Sequence, residues 1–263
     1  MLRSFWGNRQ LIFQLCKRDI LSRYKGSFIG IFWSFLIPLI MLAVYTFVFS
    51  VVLKIRWGGV ANENRLQFAL ILFVGLIVHG LFAEVINRAP SLITSNVNYV
   101  KKVVFPLEIL PIVSINTTLF HSAVSLLIML IAFFCIYGYL NWTIVLLPLT
   151  LLPLIVLTLG IAWFVASLGV FIRDIGQSMG IITTLLLFTS PVFFPISALP
   201  ESYRIIVMVN PLSFIIEQAR EVLIWGHPPN WIGLVYYSLV ASVIAIMGFM
   251  WFQKTRRGFA DVL

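Results

Sequence analysis

Residues 29–53 read IGIFWSFLIPLIMLAVYTFVFSVVL, 25 residues without an Asp, Glu, Lys or Arg, closed by Lys54 and Arg56. An α-helix needs about 20 consecutive apolar residues to cross the hydrocarbon of a bilayer. This stretch is therefore read as a first membrane span. The same pattern recurs along the chain, at 66–86, 109–136, 143–172, 175–189 and 232–252. Pro111 lies near the start of its stretch, where proline costs little. Pro148 and Pro153 interrupt the fourth stretch, and the fifth is short and Leu-rich.

Composition agrees with this reading. Of the 263 residues, 61% are hydrophobic and 10% charged, and the mean hydropathy is +1.04. A soluble domain is about half apolar and about a quarter charged. Both a water-soluble globule and a disordered chain are excluded, since disorder requires few apolar residues. Six spans leave no room for a soluble catalytic domain of about 150 residues. The expected fold is all-α: one polytopic membrane domain over 1–263 with six transmembrane helices. Cationic residues scattered through the first thirty positions argue against a cleavable signal peptide. Cys16 and Cys135 have no metal or redox spacing and are read as packing residues.

The net charge of +9 comes from 18 Lys+Arg against 9 Asp+Glu. With six spans both termini share a side. That side holds 13 Lys/Arg and five acids, the other five Lys/Arg and four acids. Positive residues accumulate in cytoplasmic loops, so both termini are expected in the cytoplasm. The charge is thus an orientation signal and not a footprint for nucleic acid.

Two segments depart from simple spans. In 4–24, Phe13, Cys16, Ile20 and Tyr24 recur every three or four residues. Gln10, Gln14, Lys17, Arg18 and Asp19 fall largely elsewhere. This reads as an amphipathic helix within a 1–28 segment at the cytoplasmic membrane interface, with Lys17, Arg18 and Arg23 as its cations. The alternative is an ordinary positive flank of the first span. Residues 190–231 hold six of the 12 prolines, long apolar runs, and Glu201, Arg204, Glu217, Arg220 and Glu221. Charges of that number are not tolerated in a lipid-facing span. Two short helices that dip into the membrane and return explain both facts, because irregular backbone at that depth needs protein or water around it. A cap on the outer surface is the alternative.

Catalytic signals are scarce. There is no GxxxxGK[ST] phosphate loop and no HExxH, and His79, His121 and His227 lack ligand spacing, so neither catalytic residues nor a metal site are expected. His121 suits a polar cavity or a bond to a neighbouring helix. The middles of the first, third, fifth and sixth spans carry no ionisable Asp, Glu, Lys or Arg, which weighs against proton coupling. Any uphill work then needs energy from a partner. The 23 Phe, 8 Trp and 8 Tyr suit lipid contact and interfacial belts, or a stacking surface for sugar rings. Composition does not choose.

Specific residues add a resemblance. Arg18-Asp19-Ile20, Arg23-Tyr24-Lys25-Gly26-Ser27, and Gly30-Ile31-Phe32-Trp33 with Pro38 resemble the start of the first span in ABC-2 type polysaccharide exporter permeases, which carry O-antigen, capsule or teichoic acid chains. Val104-Phe105-Pro106-Leu107-Glu108 with Leu110-Pro111, Phe171-Ile172-Arg173-Asp174, Ser190-Pro191-Val192, and Asn210-Pro211-Leu212 with Glu217 and Arg220 follow in the family's order. The likeness covers nearly the whole chain. It implies a homodimer joined to two copies of a separate ATP-binding subunit, which would bind the ATP and Mg, so this chain carries no cofactor and is not itself an enzyme. Its cargo would be a lipid-linked polysaccharide crossing the bacterial inner membrane between two permeases.

The resemblance also implies roles for particular residues. The cytoplasmic segment 87–108, with Arg88, Asn96, Asn98, Lys101 and Lys102, would carry a short coupling helix against the ATPase. Phe32, Trp33, Tyr45 and Phe188 would line the channel. The 190–231 hairpin, with Phe193, Phe194, Glu217 and Arg220, would form the outer gate. Residues 253–263 are expected as a cytoplasmic tail.

Overall fold

A computed structural model describes residues 7–48, 65–101 and 105–263. These residues form an all-helical bundle. In chain order the helices are α1 (Arg9–Arg23), α2 (Trp33–Tyr45), α3 (Arg65–Arg88), α4 (Ser91–Thr94), α5 (Val97–Lys101), α6 (Leu110–Tyr137), α7 (Leu147–Phe171), α8 (Ile175–Phe188), α9 (Glu201–Val209), α10 (Pro211–Arg220), α11 (Trp231–Thr255) and α12 (Phe259–Val262).

Helix ends follow the local chemistry. Pro111 sits in the first turn of α6, where its missing N–H is no loss. Gly138 ends that helix in the left-handed region at φ 75° and donates its N–H to the Phe134 carbonyl at 2.8 Å. Pro148 occupies the first turn of α7 and Pro153 lies inside the helix, so the prolines do not break this span.

Five stretches among the described residues are long and apolar enough to cross a membrane: Gly30–Val48, Leu66–Arg88, Leu107–Tyr137, Trp142–Phe171 and Trp231–Val262. The remaining expected span, α8, has 14 residues. At 1.5 Å per residue it is about 21 Å long, short of the roughly 30 Å hydrocarbon layer. The end of the first expected span, 49–53, lies outside the described residues.

α3 is the central helix. Its Ile71, Leu72, Leu81, Val85 and Ile86 are buried in the main apolar cluster, with Met129 and Phe133 of α6, Leu154 and Leu157 of α7, and Ile215 and Ile216 of α10. Between helices in lipid, close packing and hydrogen bonds replace the hydrophobic drive. The tightest contact follows that rule. A Cβ on Gly248 of α11 would collide with the Gly160 carbonyl of α7, and one on Gly160 with the Ala245 backbone. These two helices run parallel, backbone against backbone, and Ser167 and Thr255 share a hydroxyl hydrogen bond of 2.7 Å seven residues further along each.

A second apolar cluster closes the end of the bundle that carries α1 and α12. It joins Leu15, Ile93, Phe105, Leu107, Ile109, Trp163, Phe252 and Phe259. Here the residues expected as a tail, 253–263, are helical and packed. α11 continues to Thr255, and Phe259 of α12 is buried against Phe252 at a ring separation of 5.5 Å. Phe259 supplies the apolar anchor that folds this segment back.

Candidate functional site

The 190–231 segment, expected as a hairpin, holds two short helices whose burial differs. α9 exposes Ile205, Met208 and Val209, whereas α10 buries Leu212, Ile215, Ile216 and Ala219 in the main core. Asn210 makes the bend between them. Its Oδ1 accepts from the Leu212 N–H at 2.9 Å, an N-cap, and Pro211 opens the helix. Its Nδ2 donates to the Leu186 carbonyl at 2.8 Å and to the Thr189 hydroxyl at 3.0 Å. The Asn210-Pro211 pair thereby fixes the hairpin to the end of α8. Beyond α10 the backbone widens into a π-helical turn, Glu221–Trp225. Thr143 and Asn141 of the α6–α7 loop satisfy its carbonyls, at 2.6 Å to Val222 and 3.1 Å to Ile224.

Arg220 is fully buried. Its guanidinium donates to the carbonyls of Ile71 (3.2 Å), Pro191 (2.6 Å) and Val192 (3.1 Å), and to the Glu217 carboxylate (2.9 Å). A charge held away from water requires such saturation. Gly75 makes room, since a Cβ there would stand 3.1 Å from the guanidinium and 3.3 Å from the Val192 Cα. The other charges of the hairpin go elsewhere. Arg204 donates to the Leu199 carbonyl at 3.0 Å, and Glu221 meets His227 at 2.8 Å. Phe193 is half-buried and stacks on the exposed Phe188 ring, centroids 5.6 Å apart; Phe194 is half-buried in the same turn.

At the opposite end, the segment after α3 forms two short helices instead of one, α4 and α5. A Cβ on Gly169 would collide with the Pro90 carbonyl, so α4 starts directly on the α7 backbone. Asn98 and Lys101 are exposed. Asn96, in the turn between α4 and α5, donates to the Leu92 carbonyl of α4 at 2.9 Å. Arg88 bonds both carboxylate oxygens of Asp19, at 2.9 and 2.7 Å, rather than standing free. Lys102 lies outside the described residues.

α1 lies against this end, and Cys16, Ile20 and Tyr24 of its expected stripe are half-buried. Leu15 is the buried residue, flanked by Leu11, Ile12 and Cys16. Phe13, expected on the apolar side, is 71% exposed. The side of α1 turned to the bundle thus runs through Leu15 and Cys16, and Phe13 is left uncovered by protein. Burial first, and Asp19 second, push the Cys16 thiol above its ordinary pKa, as befits a packing residue. Of the three cations, Arg18 donates to the Tyr99 hydroxyl at 2.7 Å, Arg23 pairs with Glu84, and Lys17 is exposed.

The channel candidates fall on helices that bury little. Phe32 is exposed and lies 6.4 Å from Phe35; Trp33 donates its indole N–H to Ser27 at 2.9 Å; Tyr45 packs on the main core. On α8, Ile181, Leu185 and Phe188 are exposed. α2 and α8 therefore present broad apolar, aromatic faces that one chain does not cover. The histidines serve helix contacts: His79 meets the Thr183 carbonyl at 2.9 Å and His121 the Tyr24 hydroxyl at 3.4 Å. Among the described residues no cluster of His, Cys, Asp and Glu is placed to hold a metal ion.

Sequence reasoning overlooked one contact that ties the second cluster together. Glu108 pairs with Arg256 at 2.8 Å, and its carbonyl accepts the Trp163 indole N–H at 3.0 Å. A Glu at a span start and two Arg in a terminal segment were the available signal.

Comparison with known proteins matches residues 10–224 to the family model described as ABC-2 type transporter. Similar chains include an O-antigen export system permease protein RfbA of Myxococcus xanthus, 27% identical over 99% of this chain and 98% of that one. An RfbA of Klebsiella pneumoniae is 26% identical over 96% and 95%. The polysialic acid transport protein KpsM of Escherichia coli is 26% identical over 88% of each. With the family match spanning most of its length, and an all-helical bundle of membrane-crossing helices beneath it, this chain belongs to the ABC-2 type transporter family.

Proposed function

We propose that the chain is the permease subunit of an ATP-driven exporter that moves a lipid-linked polysaccharide out of the cytoplasm, across the inner (plasma) membrane, through a channel between two copies. The observation that carries this is the likeness to O-antigen and polysialic acid permeases over nearly the full length of both partners. The geometry suits the task. A long polymer needs a continuous path that binds weakly at many points, and the uncovered aromatic faces of α2 and α8 offer one when two copies face each other. ATP and Mg belong to two copies of a separate ATP-binding subunit, docked near α4 and α5. Both termini lie in the cytoplasm, as the Lys/Arg excess favours, and α8 completes its crossing with the turn that follows it.

A membrane enzyme acting on lipid-linked sugars is disfavoured by the hairpin. Arg220 is saturated by carbonyls and Arg204 bonds a different one, so its charges do not converge on a reaction centre. Gene loss tests the proposal. The expected outcome is absence of surface polysaccharide on a glycan blot, with lipid-linked polymer accumulating inside. An unchanged surface would reassign the chain to a permease for a drug or small lipid.

A further inference from the structure

α6 and α7 are joined at one end through the 138–146 loop. At the other end the Trp163 indole N–H of α7 reaches the Glu108 carbonyl just before α6, at 3.0 Å. Between those two ties a crevice of about 310 Å³ opens, lined by both helices and by α3. Its deep residues are Val74, Val78 and Leu81 of α3, Ala219 of α10 and Leu223 of the π-helical turn, all buried. Its edges are Ala123 of α6 and Pro148 of α7, both exposed. Among the described residues on its wall, only Ser122 carries a polar side-chain atom.

The crevice lies at membrane depth. Leu147, Pro148, Leu151 and Ile155 belong to the first three turns of α7, close in the chain to the exposed Trp142. A Trp at a span end marks the headgroup level. From Leu147 to Ile155 the crevice runs about 12 Å along α7, within the roughly 15 Å of hydrocarbon in one leaflet. Beyond its edges, Leu127 of α6 and Leu149 and Leu152 of α7 are about half exposed, as on a lipid-facing surface.

These surroundings choose the occupant. Water finds no partners in an apolar cavity, which stays dry. An empty void forfeits the dispersion contacts of its lining. The mouth opens sideways between two spans, so bilayer hydrocarbon stands before it. α2 and α8 contribute no residue to its wall, which separates it from the aromatic faces proposed for the channel.

We propose that the crevice between α6 and α7 binds one acyl chain of a bilayer phospholipid, from the leaflet on the Trp142 side, as a structural ligand and not as cargo. The chain supplies the wall that the protein lacks behind α10. Ala219 and Leu223 stand on either side of Arg220 in the chain, so the lipid packs behind the helix whose guanidinium bonds the Ile71 carbonyl of α3. The site depends on the chain standing in a membrane and not on what it exports.

The test places the full chain in nanodiscs of phosphatidylglycerol bearing a photoreactive diazirine midway along one acyl chain. After irradiation the adducts are mapped by mass spectrometry. They are expected on Val74, Ile77 or Leu81 and on Leu223, besides those on Leu127 and Leu152. α3 has no exposed residue between 67 and 86, so lipid that merely surrounds the bundle leaves Val74, Ile77 and Leu81 unlabelled. Ala123→Phe sets a ring across the mouth and is expected to lose the α3 adducts while keeping those on Leu127 and Leu152, which also report a folded variant. Pro148→Phe closes the same mouth from α7 and should give the same loss. Wild-type adducts confined to Leu127, Leu152 and other exposed positions overturn the site. So do α3 adducts that persist in a folded variant with the mouth closed. Export is not read, so failure here leaves the functional reading untouched.

Discussion

Arg220 carries the most consequence of any single residue. Four acceptors converge on its guanidinium, three of them backbone carbonyls from two different parts of the chain. Removing one partner of a buried pair costs about 3–5 kcal/mol, because the other is left uncompensated. Arg220→Ala should therefore lower the thermal unfolding temperature of the purified protein sharply. Arg220→Lys should recover only part of it, since an ammonium lacks the planar fork that reaches several acceptors. A melting temperature unchanged in Arg220→Ala would mean that the hairpin does not depend on this residue. The sequence offered Glu217 and Arg220 together as gate residues, and their i,i+3 spacing permits the pair. The carbonyls were not legible, because a backbone acceptor has no residue signature. Gly75, which admits the guanidinium, looked like any glycine in a span.

Among elements, α7 and α11 depend on missing side chains. Gly248→Val places a methyl-bearing branch against the Gly160 backbone, which cannot yield as a flexible side chain would. Overpacking costs about 1–3 kcal/mol, and this site should lie at the upper end, read as loss of folded protein on detergent size-exclusion chromatography. α8 behaves differently. Phe188 is 62% exposed and rests mainly on Phe193. Phe188→Ala with Phe193→Ala should slow polymer export while the protein still elutes as a folded species; unchanged flux would return these rings to lipid contact. The long apolar runs made the elements legible, since a span advertises itself by composition. Their ends were less so: α11 runs past its expected limit because Phe252 and Phe259 pack together across the turn. α1 was legible as a helix, but the burial of Leu15 was not, because Phe13 and Leu15 are equally apolar and only the surface beneath them distinguishes the two.

At the scale of the whole molecule, two apolar clusters divide the labour. The main one builds a membrane bundle around α3; the second gathers α1, the α4–α5 segment and α12 at one end. Under the proposed function that end receives the motor. Detergent-purified chain should hydrolyse no ATP by itself, and an ATP-binding subunit should copurify with it under mild extraction. Robust hydrolysis by the isolated chain would contradict this. The overall architecture and family were readable because span order and short motifs survive at low identity. The clamping of the terminal segment by Glu108 and Arg256 was not, since the two residues lie 148 positions apart in the sequence.

The buried guanidinium also sets an order of assembly. Arg220 is synthesised after α3 but finds an acceptor there, at Ile71. Until α3 stands in the bilayer, that charge lacks one of its carbonyl acceptors, while Pro191, Val192 and Glu217 of its own segment supply others. The 190–225 segment is therefore expected to reach its final seat only after α3 is in place. Chains that lack α3, or carry it inverted, are expected to leave this segment unseated and more exposed to proteases.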